Sequence, residues 1–263
     1  MEKLPAFSAI FNGHIWRIIP DFETQCLVIE IRNYEHRIVT FAAINLRKKA
    51  VLWQNFSLKE TWWIGIEAVK CGHIYFHGYN HIQYANHLAI SCLQIESQKI
   101  LWERSDIIFH SIDKNQLIAQ KKNQDFSHLF LTLDLKTGHT LSEFEGILNN
   151  SIEPNASVFY PIMYDAQDEA FSRLVIFLQK KLEFVVVNAV EYLEYNDFII
   201  ISFYIKEGDK LQNRLILLDK DAFLLLDLIL DQNLDGIGTQ TFLVLNNQLI
   251  FVKHKTELSI YDL

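Results

Sequence analysis

The densest group of potentially reactive side chains contains one cysteine and four histidines within seventeen residues: Cys71, His73, His77, His81 and His87. Thiolates and neutral imidazoles are the usual protein ligands of zinc. Residues 73 and 77 would lie on one face of a strand, but four residues at about 3.3 Å each place them about 13 Å apart. That is too far for one ion whose bonds are about 2 Å long. We therefore expect these histidines to be exposed or packed, and the sequence predicts no metal site and no cofactor.

Other signatures of chemistry are incomplete. A Gly-x-Ser-x-Gly nucleophile motif does not occur, and Gly236-Ile237-Gly238 lacks the third glycine of a dinucleotide fingerprint. The four-residue spacing of Asp227, Asp231 and Asp235 differs from the one-three-five pattern of a calcium loop. The sequence thus predicts no catalytic residue.

A recurrence of about forty residues organises the elements that would position any site. A turn-forming pair opens a short β-branched or aromatic strand six times: Gln25-Cys26, Gly72-His73, Asn115-Gln116, Asn155-Ala156, Asn196-Asp197 and Asn247-Gln248. About twenty residues after each turn a strand ends near a polar residue: Asn45, Gln94, Asp134, Gln179, Asp219 and Asp262. This period is typical of four-stranded propeller blades, because helical repeats of similar length need amphipathic runs of period 3.6. We find no such run.

The prediction is therefore an all-β chain forming one β-propeller domain over residues 1–263. Six four-stranded blades are expected at 14–56, 62–104, 106–145, 147–187, 189–230 and 237–263. The last blade lacks an outer strand, which residues 4–11 can supply. Pairing the first strand with the C-terminal blade would close the ring and remove its open edge. A pair of packed sheets would explain the strands but not the period.

Two tryptophans fall at matching places in the first two predicted blades. Trp53 and Trp102 lie on the final strands, where a large apolar ring would pack one sheet against the next. Blade three ends in Asp134, Thr137 and Gly138, which suit a tight turn. Here the chain resembles the quinoprotein-like, PQQ-type propeller repeat, with reduced copies of the motif in blades one and two. It is also similar to an uncharacterised bacterial family of short propeller proteins. The resemblance implies the architecture and no activity.

Composition limits the partners. The net charge is −8, from 32 acidic and 24 basic residues, and the basic residues form no stripe, so nucleic acid and anionic membranes are not expected. The three cysteines have no CxxC spacing and are expected to be reduced and packed. No signal segment or membrane-length apolar run is visible, which predicts a soluble, cytoplasmic protein.

The function predicted is a non-catalytic scaffold or interaction module whose loop face binds a protein or a small ligand. The candidate binding residues are Trp62 and Trp63, after loop 57–61, with His81 and Tyr84 in loop 80–86. The two tryptophans could instead fill a sheet interface. An enzyme or small-molecule sensor using the central channel, with Glu67, His110 and Glu194 on inner strands, is the alternative. A structural, oligomer-forming protein is a third; the sequence leaves the oligomeric state open.

Overall fold

A computed structural model of the chain describes residues 4–81, 84–121, 129–146 and 158–263, with side chains left undescribed over residues 79–88. Within those ranges the chain forms 22 strands and one helix, so the all-β prediction is confirmed. The chain divides into two compact units, Trp16–Pro154 and Met1–Ile15 with Asn155–Leu263. Each unit is described separately below.

After a short first strand, β1 (Phe7–Ile10), the chain builds three four-stranded antiparallel sheets in succession. The first sheet contains β2 (His14–Asp21), β3 (Cys26–Asn33), β4 (Ile38–Asn45) and β5 (Ala50–Phe56). The second contains β6 (Ile64–Lys70), β7 (His73–His81), β8 (Tyr84–Gln94) and β9 (Lys99–Arg104). The third contains β10 (Ile107–Asp113), β11 (Gln116–Lys121), β12 (Leu129–Asp134) and β13 (Thr140–Glu145). All three match the sheets expected at 14–56, 62–104 and 106–145.

Apolar side chains pack these sheets face to face within the first unit. Val28, Phe41 and Trp53 of the first sheet share a core with Ile66 and Phe76 of the second. A further core joins the second and third sheets, formed among others by Tyr75, Cys92, Leu117, Leu131 and Leu133. The strands of the second sheet are apolar on both faces because a neighbouring sheet covers each face.

The fourth predicted blade, 147–187, does not form a sheet of its own in the described residues. Its strand β14 (Val158–Phe159) pairs with the last sheet, and β15 (Ile162–Asp165) pairs with the sheet that follows. The strand predicted to end near Gln179 is wrong, because the segment before that residue, from Phe171 onward, lies in helix α1 (Glu169–Leu182). Residues 147–157, including the predicted turn at 155–156, lie outside the described residues.

Helix α1 forms because its apolar residues recur with a period near 3.6. Phe171, Leu174, Val175, Leu178 and Leu182 all face a core shared with the neighbouring strands. Glu169 in the first turn and two lysines in the last turn complement the helix dipole. The sequence prediction of a chain without amphipathic helical runs is therefore wrong for this segment.

The remaining sheets lie in the second unit. One is five-stranded, in the order β15-β16-β17-β18-β19, with β16 (Val186–Tyr195), β17 (Phe198–Glu207), β18 (Lys210–Asp219) and β19 (Leu224–Leu234). The other contains β20 (Phe242–Leu245), β21 (Gln248–Lys253) and β22 (Glu257–Asp262). Its order is β1-β22-β21-β20-β14, with Phe7 opposite Ile260. The predicted pairing of the N-terminal strand with the C-terminal sheet is confirmed, whereas a count of six sheets and a closed ring are not.

The two sequence landmarks coincide with strand boundaries in all five sheets. Strands begin at Cys26, His73, Gln116, Phe198 and Gln248, just after the predicted turns. Strands end at Asn45, Gln94, Asp134, Asp219 and Asp262, the predicted polar residues. The Asp134 carboxylate shows why: its Oδ1 accepts the Thr137 N–H at 2.9 Å and so closes the turn. Gly138 follows with φ +68°, a backbone conformation that favours glycine.

Candidate interaction surface

Loop 57–63 connects the first two sheets and carries two of the predicted binding residues. Trp63 is 42% exposed, whereas Trp62 packs partly against the core between the sheets. Both backbone N–H groups donate to Glu60 Oε1 at 2.9 Å. These two hydrogen bonds lower the pKa of Glu60 below its usual value and hold the loop as a tight turn. The structure thus divides the two tryptophans between packing and exposure, and their binding role stays a prediction.

Trp62 belongs to a chain of ring contacts that includes residues of β2 and β3. The Tyr34 ring meets Trp62 edge to face at 5.6 Å between centroids. The Arg32 guanidinium lies 5.4 Å from the Trp62 ring centre and 5.7 Å from that of Trp16. Trp16 is 58% exposed and Tyr34 is 48% exposed. We call Trp16, Arg32, Tyr34, Trp62 and Trp63 the aromatic surface.

Buried charge fixes the centre of the aromatic surface. Arg32 Nε donates to Glu30 Oε1 at 2.8 Å, and its NH2 group donates to the Ile64 carbonyl at 2.9 Å. Glu30 itself is 1% exposed, and its Oε2 accepts the Ile66 N–H at 3.0 Å. A buried carboxylate is stable only when paired and hydrogen-bonded, so Glu30 and Arg32 hold each other in place. The guanidinium is therefore positioned before any partner arrives.

Two of the histidines that suggested metal chemistry, His73 and His77, lie on β7. His77 is 2% exposed, and its Nδ1 lies 3.1 Å from Glu67 Oε1. His73 is also buried, and its Nδ1 contacts the Cys71 carbonyl at 2.8 Å. A Cβ on Gly65 would lie 2.9 Å from His77 Cε1 and 3.3 Å from Glu30 Oε2, so glycine is needed there. Within the described residues, no group of three or more His, Cys, Asp or Glu side chains is placed to hold a metal ion.

His81 and Tyr84 were expected in a loop at 80–86. The structure instead extends β7 to His81 and starts β8 at Tyr84, and the two residues pair across the hairpin. The loop prediction is thus too long. Residues 82 and 83 lie outside the described residues, and so do the side chains of His81 and Tyr84, so their binding role stays a prediction.

Two of the alternative channel residues occupy irregular positions in their strands. Glu67 and His110 each fall at a β-bulge, between Ile66 and Ala68 and between Phe109 and Ser111. His110 Nδ1 contacts the Ser111 hydroxyl at 3.1 Å. Glu194, in the other unit, accepts a hydrogen bond from the Tyr192 hydroxyl. Bulges often re-aim side chains near functional sites, but Glu67 is only partly exposed and is paired with the buried His77.

Sequence reasoning found Trp62 and Trp63 but missed Trp16, Arg32 and Tyr34. Of these three residues, Arg32 carried a readable signal. Glu30 and Arg32 alternate with apolar residues in β3, and charged residues on the buried face of a strand must be paired. The contact of Trp16 with Arg32 joins separate strands, so spacing along the sequence does not reveal it.

One family model, whose family has no known function, matches part of the chain. The model of a domain of unknown function (DUF4905) matches residues 20–102, from the end of β2 into β9. No curated protein matches the chain.

Several solved structures are similar to the chain at low identity. BamB from Moraxella catarrhalis is 10% identical, over 94% of this chain and 82% of that one, with a TM-score of 0.35. A DUF4221 family member from Bacteroides vulgatus is 9% identical, over 98% and 96%, with a TM-score of 0.35. An uncharacterised protein of Listeria monocytogenes EGD-e is 9% identical, over 99% and 98%, with a TM-score of 0.39. Such values carry no argument about function.

Proposed function

We propose that this protein is a non-catalytic interaction module of β-propeller type, whose aromatic surface binds a protein partner. The observation that carries the proposal is the exposure of Trp16 beside the fixed Arg32, and of Tyr34 beside the Trp62 ring that the same arginine contacts. The exposed Trp63 is next to Trp62 in sequence. Trp, Tyr and Arg are the residues most enriched among those that dominate binding energy at protein interfaces. Large rings supply contact area at low cost in side-chain entropy.

The propeller part of the proposal has three supports. Consecutive four-stranded sheets pack face to face, strand boundaries follow one period, and β1 completes the C-terminal sheet. The quinoprotein-like turn at Asp134–Gly138 agrees with this architecture. A six-bladed ring would require one sheet in addition to the five that the described residues form.

The proposed location and partner class are supported by the cysteines and the net charge. Cys26 and Cys92 are buried and carry free thiols, and burial raises the pKa of Cys92 to about 12. A buried, protonated thiol is unreactive. Within the described residues no helix has the length and apolar character to cross a membrane. We propose a cytoplasmic location and a protein rather than a nucleic-acid partner, since the net charge is −8.

A peptide-display selection on the full chain tests the binding role. We expect enriched peptides whose binding falls at least about tenfold in the Trp16→Ala/Trp63→Ala variant, because truncating a central aromatic residue removes most of its contact area. The control is Trp102→Phe, which changes a tryptophan between the second and third sheets. Peptides that bind all three proteins equally, or no enrichment at all, would exclude this surface.

The channel alternative makes a different prediction. If Glu67 and His110 acted on a small molecule, Glu67→Gln and His110→Gln would each abolish its binding without affecting the selected peptides. The burial of His77 beside Glu67 favours a packing role for that pair, because a group 2% exposed offers little surface to a ligand.

A further inference from the structure

The unit containing β15–β22 has a groove that none of the features above uses. It encloses about 350 Å³ and is lined by Arg214, Asp227, Leu228, Ile229, Gln232, Lys253 and His254. Its size lies at the lower end of the range for small-molecule sites. Three of its seven lining residues are Arg, Lys and His, and one is acidic, so hydrogen-bond donors predominate.

Irregular backbone shapes the groove. Opposite Arg214 the pairing of β18 with β19 shifts register twice, from Leu211 to Asn213 and from Asn213 to Arg214. The shift leaves Leu230 without a partner on β18, and its carbonyl accepts the His254 N–H at 2.7 Å. This bond fixes the turn that carries Lys253 and His254 against β19. A bulge that re-aims backbone and side chains in this way is common beside binding sites.

Arg214 is held rigidly at one wall. Its Nε and NH2 groups donate to Asp227 Oδ1 at 3.3 and 2.8 Å, and NH1 donates to Gln212 Oε1 at 2.9 Å. The guanidinium also lies 4.8 Å from the Phe184 ring centre. Among contacts within the described residues, these hydrogen bonds use three of the five N–H donors of the Arg214 guanidinium. Two donors therefore stay available for a ligand. The negative charge of the Asp227 carboxylate is balanced by the same guanidinium.

Lys253 is held far more loosely than Arg214. Its Nζ lies 3.8 Å from Glu257 Oε2, which is beyond hydrogen-bond distance although close enough for attraction. The side chain is 25% exposed, so it can turn toward an anion without losing a strong bond. His254 is exposed at the same turn.

We propose that this groove binds a small oxyanion, a carboxylate or phosphate group on a short organic molecule. The planar guanidinium matches carboxylate and phosphate geometry, Lys253 adds a mobile charge, and Leu228 and Ile229 supply apolar contact for a short chain. The proposal concerns a different unit from the aromatic surface, so either can fail without the other.

Titration of the ¹⁵N-labelled full chain with succinate, inorganic phosphate and neutral succinamide tests it. We expect saturable shifts at residues 214, 227–232 and 253–254 with one of the two anions and none with succinamide. The anion that binds more tightly identifies the group as carboxylate or phosphate. Lys253→Gln should weaken binding about tenfold, because it removes one charge-assisted hydrogen bond.

Lys255→Gln is the matched control. Lys255 is two residues away and lies 3.7 Å from Asp231 Oδ2, outside the groove lining. Equal weakening in both variants would mean nonspecific attraction, and unchanged binding in Lys253→Gln would exclude the proposed contact. Either result, or the lack of saturable shifts with both anions, overturns the proposal.

Discussion

The indole N–H of Trp53 donates a hydrogen bond to the carbonyl oxygen of Ile95 at 2.8 Å, from the outer strand of one sheet to the end of the third strand of the next. Trp102 repeats this bond with the Leu135 carbonyl at 3.1 Å. The ring of Trp102 covers Gly138, where a Cβ would lie 2.6 Å from Cδ2 of the indole. The predicted packing role of both tryptophans is therefore confirmed, and the bond is part of the repeat.

Trp53→Phe should reduce the free energy of unfolding by about 1–3 kcal/mol, because it shrinks a buried ring and removes the donor to the Ile95 carbonyl. Urea unfolding monitored by circular dichroism measures the change. Trp63→Phe is the control and should stay within about 0.5 kcal/mol, since that side chain is 42% exposed. Equal losses in the two variants would contradict a special role for the Trp53 bond.

Gly65→Ala should destabilise the protein by about 1–3 kcal/mol, because the new methyl group would press on His77 and Glu30. Equilibrium unfolding in urea checks this value. The control Gly236→Ala places its methyl group in open space and should have little effect. If Gly65→Ala proved as stable as the wild type, the close packing of Gly65 on His77 would be wrong.

Asp21→Asn should change how stability depends on pH. Burial raises the pKa of Asp21 above 3.8, although the Thr24 hydroxyl opposes this by donating to its Oδ2. Folding therefore favours the protonated form of Asp21. Its contribution to the stability of the fold is fully present below the pKa of the unfolded state and is lost as pH rises through the pKa of the folded state. Asparagine does not ionise and keeps no such pH dependence. The Tm of the variant should therefore rise relative to the Tm of the wild type between about pH 4 and about pH 7.

Asp134→Asn should change the pH dependence of stability in the opposite direction. The Thr137 hydroxyl, with the backbone N–H of the same residue, lowers the pKa of Asp134, so its carboxylate stabilises the turn at neutral pH. That variant should be less stable than the wild type at about pH 7 and should approach it as pH falls through the folded pKa. The same trend in both variants would show that the pH dependence arises elsewhere.

Deletion of residues 1–12 should lower the Tm of the whole unit that contains β22. The deletion removes β1 and exposes the edge of β22, which β1 covers from Phe7 opposite Ile260 to Ile10 opposite Glu257. Deletion of residues 1–5 is the control, because it leaves the Ala6 N–H bond to the Ile260 carbonyl intact. Thermal unfolding that is unchanged by the longer deletion would exclude a structural role for β1.

Much of the strand pattern could be predicted from sequence because turn chemistry is local. Residues such as Asn196 and Asn247 adopt positive φ, which Asn tolerates better than most residues, and Asp219 closes its turn through its own side chain. Helix α1 was missed because Phe171 to Gln179 is apolar enough to pass for a buried strand. Periodicity alone separates the two poorly in short apolar runs.

The candidate site was only half predictable for a related reason. Trp62 and Trp63 are adjacent in sequence and follow a recognisable loop. Arg32 and Trp16 reach the same surface from different strands, and such contacts depend on register and rotamer rather than on spacing. The Arg214 groove depends on a register shift between β18 and β19, which alternation of side chains does not encode.

The place of β1 has a consequence for synthesis of the chain. Its partner β22 lies about 250 residues later, so the pair cannot form while the ribosome still holds residues 257–262. Until then the residues of β1 lack the strand with which they pair in the folded protein. An unpaired strand edge can pair with another chain, so the nascent protein must keep this segment free of other chains until β22 is available.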